Sequence, residues 1–179
     1  ILHPCQVLAD IMTIYEKKSK LAGLKMAYLG DGNNVAHSLM IACSKVGMNF
    51  SIGCSPGHEP NEEIIAMAKQ NALSNGSDIE VIYNPIDAIK NADVVYTDVW
   101  SSMGQEEEFE VRKKALSPYQ VNSELISYAK PDAIFEHCLP AHRGEEVTTE
   151  IIDGPNSVVF DEAENRLHVQ KAVMALLMK

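Results

Sequence analysis

Basic residues are scarce. The 179-residue chain carries 15 Lys and Arg against 25 Asp and Glu, a formal net charge of -10 and a pI near 5.0. Nucleic acid and anionic membrane surfaces both require a basic face, so neither is expected as the main partner. A small anion in a locally basic pocket stays compatible with this balance. Long apolar runs are missing too: none approaches the about 20 residues of a membrane span. No basic, apolar and small-residue succession marks a secretory signal. Cysteine is sparse, and Cys5, Cys43, Cys54 and Cys138 form no C-x-x-C pair, which argues against a zinc knuckle or a dithiol redox motif. Free thiols in a domain of this size point to a reducing compartment, most simply the cytoplasm. An initiator Met is lacking as well. The chain opens Ile1-Leu2-His3-Pro4, as an excised piece of a longer protein would.

What is present suits one globular domain over residues 1–179, with 46% hydrophobic residues to build a core. Residues 3–22 read as a helix, with Pro4 in its first turn, a stripe of Val7, Leu8, Ile11, Met12, Ile14 and Tyr15, and lysines at its end. Strands are expected at 24–29, 49–53, 79–83, 94–97, 133–136 and 158–160. Helices are expected at 35–46, 61–74, 85–91 and 122–129, with a charged helix or lid at 106–114. A closing helix over 162–178 would turn Leu167, Val169, Ala172, Val173, Leu176 and Leu177 inward. Short apolar strands alternating with helices argue for an α/β fold: a doubly wound parallel sheet, Rossmann-like, with helices on both faces. Ligands in such folds sit past the carboxyl ends of the strands.

Several polar groups fall at those ends. Gly30-Asp31-Gly32-Asn33-Asn34 follows the first strand in the position of a dinucleotide fingerprint. Its third small position is Val35, however, and the second strand ends without the Asp or Glu that would hold a ribose. A helix start with Asn33 and Asn34 suits a carboxylate or phosphate better. The fourth strand runs into Asp98-Val99-Trp100-Ser101-Ser102-Met103-Gly104, where Asp98 is a counter-ion for an ammonium or a turn cap. His3 and Gln6 share one face of a helical turn and offer donors to a carbonyl oxygen, or simply face water. His137-Cys138-Leu139-Pro140 ends the fifth strand. Adjacent strand residues point to opposite faces, so His137 is badly placed as a base for Cys138. His142 could reach the thiol across the Pro140 turn. A zinc site there would need a fourth ligand, and no metal is expected. Arg166, in Glu164-Asn165-Arg166, is either a surface ion pair or an anion clamp.

Together these motifs resemble the carbamoyltransferases. His3-Pro4-Cys5-Gln6 matches their H-P-x-Q motif. The Asp98 to Gly104 stretch resembles the D-x-x-x-S-M-G loop of the ornithine carbamoyltransferases, and His137-Cys138-Leu139-Pro140 their H-C-L-P motif. The glycine turn and Glu164-Asn165-Arg166 fit in the same order, so the resemblance covers the whole chain.

The resemblance implies transfer of a carbamoyl group from carbamoyl phosphate to the δ-amine of L-ornithine, giving L-citrulline and phosphate, with no cofactor. It implies that His3, Gln6 and Arg166 bond the carbamoyl oxygen, and that Asn33, Asn34 and the Met103 backbone hold the ornithine carboxylate. Asp98 and Ser102 would hold the α-ammonium. Cys138 and the Leu139 backbone would line the reacting region, with Cys138 orienting rather than covalent. The family's Ser-Thr-Arg-Thr-Arg phosphate motif does not occur here. The resemblance therefore implies an ornithine-binding half, with both terminal helices contacting a preceding carbamoyl phosphate domain. It also implies sites formed between subunits of a homotrimer or a multiple of trimers. Putrescine and acetylornithine carbamoyltransferases are the near alternatives, and a nucleotide-binding Rossmann module is the alternative of another class.

Overall fold

The computed structural model describes residues 1–100 and 109–178. Five parallel strands form one sheet: β1 (Lys25–Leu29), β2 (Asn49–Gly53), β3 (Ile79–Ile82), β4 (Val94–Thr97) and β5 (Ile134–His137), in the order β3-β2-β1-β4-β5. The order reverses at β1, so the crevice between β1 and β4 is the place where a doubly wound sheet takes its ligand. The registers Leu29↔Thr97 and Thr97↔His137 bring the ends of β1, β4 and β5 level.

The alternation of side chains divides the core in two. Met26, Tyr28, Phe50, Ile52, Val94 and Tyr96 face α1 (Pro4–Lys18), α2 (Asn34–Val46) and α3 (Glu62–Ala72). Ala27, Leu29, Val95 and Phe135 face α4 (Pro85–Ile89), α6 (Ser123–Ile126) and α7 (Thr149–Ile152), together with Leu116 from α5 (Phe109–Leu116) and Tyr119 from the adjoining 3-10 turn. Both sheet faces are covered, which is why the strands read as nearly continuous apolar runs. Among the described residues no helix is long and apolar enough to cross a membrane.

Several expected elements change: the helix expected at 122–129 shortens to Ser123–Ile126, and the unexpected α7 forms at Thr149–Ile152. The strand expected at 158–160 does not form. Ser157 makes a single bridge to Phe135, the Val158 N–H donates to the Phe135 carbonyl, and α8 (Val159–Leu177) begins at the next residue. A β-branched run is overridden once a helix with Asp161 and Glu162 in its first turn can start there. The first helix stops at Lys18, where Ser19 turns left-handed at φ 59° and its N–H caps the Tyr15 carbonyl.

The packing of α1 on α8 differs more. Leu8 and Tyr15 of α1 are exposed, as are Leu167, Leu176 and Leu177 of α8. The buried faces are instead Gln6, Asp10 and Thr13 against Glu162 and Asn165, with Val7, Ala9 and Val169 beside them. Hydrophobic periodicity finds apolar stripes and cannot detect a buried polar seam.

Candidate active site

The β1–α2 turn is built around its own chain. A Cβ on Gly32 would lie 2.3 Å from the Pro60 nitrogen, and the Gly32 N–H donates to the His58 carbonyl at 2.8 Å. The second glycine thus makes room for the β2–α3 loop and not for a pyrophosphate. Asn33 then caps α2, its Oδ1 accepting from the N–H groups of Val35 and Ala36 at 2.9 and 3.0 Å. Its Nδ2 donates to Asp98 Oδ2 at 2.7 Å. Asn34 is exposed, and its side chain makes no hydrogen bond among the described residues.

Asp98, just past β4 and almost fully buried, is the centre of this group. Its Oδ1 accepts the Val99 N–H at 2.8 Å and the Cys138 thiol at 3.0 Å. Burial, and then the neighbouring Asp98 charge, push the Cys138 thiol far up. A thiol held protonated against a carboxylate is a weak nucleophile. The His142 imidazole is turned instead toward Glu145, 3.8 Å away. The cysteine-nucleophile alternative therefore lacks both a thiolate and a base.

His137 is wholly buried. Its Nδ1 accepts the Leu139 N–H at 2.9 Å, so the Nε2 proton faces Glu146 Oε1 at 3.2 Å. Asp98, His137 and Cys138 place ligand-type atoms within 4.8 Å of one another, yet both imidazole nitrogens are already engaged. Leu139 itself sits at φ 54°, a left-handed turn that is costly for a branched side chain.

A second polar group lies on the α1–α8 side. Gln6 is buried, and its Nε2 donates to Asp10 Oδ1 at 2.8 Å and to Glu162 Oε1 at 2.9 Å. Arg166 Nη1 donates to Gln6 Oε1. Both amide protons of Gln6 are spent inward, so the atom it turns toward Arg166 is an acceptor. This changes the expectation that Gln6 donates to a carbonyl oxygen. The His3 N–H bonds Ser38 Oγ at 2.7 Å, and its half-buried imidazole makes no described hydrogen bond. Ser102 and Met103 lie outside the described residues.

Sequence reasoning missed Glu162 and Arg112. Glu162 joins the two polar groups, accepting the His137 N–H at 3.0 Å and the Tyr96 hydroxyl at 3.2 Å. Arg112 donates to Asp31 Oδ2 at 2.6 Å and to the Trp100 carbonyl at 2.8 Å. A Glu flanked by Asp161 and Glu164 reads as a solvated face. Arg112 falls in a charged run with the same reading.

The order of these motifs along the sheet can be set against known proteins. Residues 22–177 match the family described as Aspartate/ornithine carbamoyltransferase, Asp/Orn binding domain. The chain belongs to this family. It is 62% identical over 176 residues to an ornithine carbamoyltransferase of Thermococcus kodakarensis, covering 98% of the chain and 56% of that relative. The ornithine carbamoyltransferase of Pyrococcus furiosus superimposes with a TM-score of 0.96 at 59% identity, over 99% of this chain and 57% of that one. An N-acetyl-L-ornithine transcarbamylase is more distant, with a TM-score of 0.87 at 32% identity over 98% and 56% of the two chains. The chain thus spans little more than half the length of these carbamoyltransferase relatives.

Proposed function

We propose that this chain supplies the amino-acid side of an ornithine carbamoyltransferase site. The supporting observation is the Asp98 carboxylate, held between Asn33 and Cys138 at the β1/β4 switch point, with Gln6 and Arg166 on the far side of Glu162. A buried carboxylate at the strand ends suits a free α-ammonium, and the start of α2 with exposed Asn34 suits the α-carboxylate. An N-acetylated substrate has no ammonium to pair with Asp98, and putrescine has no carboxylate. Ornithine is therefore preferred over both near alternatives.

In the reaction, the neutral δ-amine attacks the carbamoyl carbon and a tetrahedral oxyanion forms. The bond from that carbon to the phosphate oxygen then breaks, and phosphate leaves carrying the proton that the amine gives up. Donors aimed at the developing oxyanion provide most of the acceleration in such transfers. His3 and Arg166 are the donors here, and the Gln6 oxygen suits the carbamoyl NH2. Cys138 and the Leu139 backbone line the reacting region and form no covalent intermediate. Asn33 acts through Asp98, while Ser102 and Met103 are assigned to ornithine by the motif alone.

The phosphate requires more positive charge than this face offers. Of the three arginines, Arg112 pairs with Asp31 and Arg143 with Asp153, leaving Arg166 at the site. The remaining phosphate ligands are assigned to a carbamoyl phosphate domain outside these residues, contributed within a homotrimer or a multiple of one. The four thiols are unpaired, in keeping with a cytoplasmic enzyme of arginine metabolism.

The test is citrulline formation from carbamoyl phosphate by the full-length protein, with ornithine, acetylornithine and putrescine compared as acceptors. Ornithine should give the highest kcat/KM, and a preference for either other amine overturns the assignment. The isolated 179-residue chain should form no citrulline.

A further inference from the structure

Three carboxyl groups, Asp10, Glu136 and Glu162, are buried where α1, β5 and α8 meet, and no described hydrogen bond joins any of them to Asp98, Asn33 or Asn34. From their arrangement we infer that Glu162 is a positioning residue: its carboxylate fixes the Gln6 amide, which in turn holds Arg166, and pins the end of β5 to the same point. The inference rests on the carbamoyl transfer proposed above.

An amide NH2 has two protons. In Gln6 one goes to Glu162 Oε1 at 2.9 Å and the other to Asp10 Oδ1 at 2.8 Å. This arrangement permits only one orientation, with the amide oxygen toward Arg166 Nη1. A flipped amide would set its oxygen against Glu162 Oε1 and its NH2 against a guanidinium. The same Glu162 accepts from Tyr96 Oη at 3.2 Å through Oε1 and from the His137 N–H at 3.0 Å through Oε2. One side chain therefore links the H-P-x-Q segment, the end of β4 and the H-C-L-P segment.

The charge needed for this role is localised by the surroundings. The facing groups are Asp10 from α1, Tyr96 from β4, Glu136, His137 and Cys138 from β5 and its turn, and Arg166 from α8. Burial, then the charge of Glu162, raises Asp10 well above the usual carboxylate range and raises Glu136 likewise. Of the three, Glu162 alone has both carboxyl oxygens engaged by donors: Gln6 and Tyr96 at Oε1 and the His137 N–H at Oε2, whereas Glu136 makes no described hydrogen bond. A glutamine in its place has one acceptor oxygen and cannot serve Gln6, Tyr96 and the His137 N–H together.

The experiment uses the full-length protein and the variants Glu162→Gln, Gln6→Leu and the double variant. Glu162→Gln should lower kcat by about tenfold or more while the ornithine KM changes less than about threefold, since the loss is on the carbamoyl side. In the Gln6→Leu background the same substitution should cost less than about threefold, because the group it acts through is gone. Independent of activity, glutamine-labelled protein should show slowly exchanging Gln6 side-chain amide protons in the wild type. An unchanged kcat in Glu162→Gln, losses that multiply fully in the double variant, or fast-exchanging Gln6 protons in the wild type would each overturn the positioning role. Absence of citrulline formation by the wild type would overturn the carbamoyl transfer instead, and the amide exchange then decides the positioning role alone.

Discussion

Asn33 donates from Nδ2 to Asp98 Oδ2 at 2.7 Å, joining the turn after β1 to the turn after β4 across the switch point of the sheet. The same amide caps α2 through its oxygen, so the helix start and the carboxylate are set by one side chain.

This makes Asp98 the first residue to change. Asp98→Ala removes the proposed counter-ion for the ornithine ammonium and leaves Asn33 Nδ2 and the Cys138 thiol without their acceptor. A charged hydrogen bond lost in this way is worth about 1.5–3 kcal/mol, so the ornithine KM should rise by roughly 10- to 100-fold. Carbamoyl phosphate binding, which the proposal places on the Gln6 and Arg166 side, should stay nearly intact. Steady-state kinetics on the full-length protein measures both, and an unchanged ornithine KM removes Asp98 from the site.

Cys138 should behave as a wall and not as a nucleophile. Its thiol is raised first by burial and second by the charge of Asp98, so little thiolate exists at neutral pH. Alkylation of Cys138 at pH 8 should be slower than that of a free thiol by about 100-fold or more. Cys138→Ala should lower the rate yet retain measurable turnover, since the role proposed for the sulfur is not covalent. Rapid labelling, or complete loss of turnover in a folded variant, would contradict this.

The legible part of the fold was the part written in apolar period. All five strands and α2 follow from runs such as Val94–Thr97 and from Asn33 as a cap, and the switch point then places Asp98. The illegible part was the seam of α1 on α8. Gln6, Asp10, Thr13, Glu162 and Asn165 are buried by bonding one another, and nothing in a hydrophobic pattern separates them from solvated residues. The exposed Leu167, Leu176 and Leu177 misled for the same reason. Within the candidate site, His3, Gln6, Cys138 and Arg166 are picked out by motifs. The direction in which the Gln6 amide points is not, because it depends on two carboxylates, one of them 156 positions away in sequence.

That seam should appear in the pH dependence of stability. Burial raises Glu162 from 4.5 to about 7, and the unfolded chain has no such shift. Between those values the folded state binds more protons than the unfolded state, so stability falls as pH rises through the window. The stabilisation is fully present below pH 4.5 and lost by about 7. The shift corresponds to about 3 kcal/mol as an order of magnitude. Glu162→Gln does not titrate, so the wild type should lose stability relative to the variant, by up to that amount, between these two pH values. Denaturant midpoints at both ends of the window test this, and parallel curves for the two proteins would refute it.

Arg112 reaches from α5 back to the Trp100 carbonyl at 2.8 Å and across to Asp31 in the glycine turn at 2.6 Å. Asp31 is also held by His58 Nδ1 at 2.9 Å, so this carboxylate is anchored from the β2–α3 loop as well. The pair is largely shielded, with side chains 15% and 21% exposed, so it is worth more than a surface ion pair. It fixes Trp100 and α5, the two points between which Ser102 and Met103 lie in sequence. Lysine cannot replace it, because a point charge does not offer the planar fork that bonds a carbonyl and a carboxylate at once. Arg112→Lys and Arg112→Ala should therefore both raise the ornithine KM, by roughly 5- to 50-fold for a loss of about 1–2.5 kcal/mol. Carbamoyl phosphate binding should be little altered. If the clamp served stability alone, both variants would lower the midpoint of unfolding and leave the ornithine KM where it was.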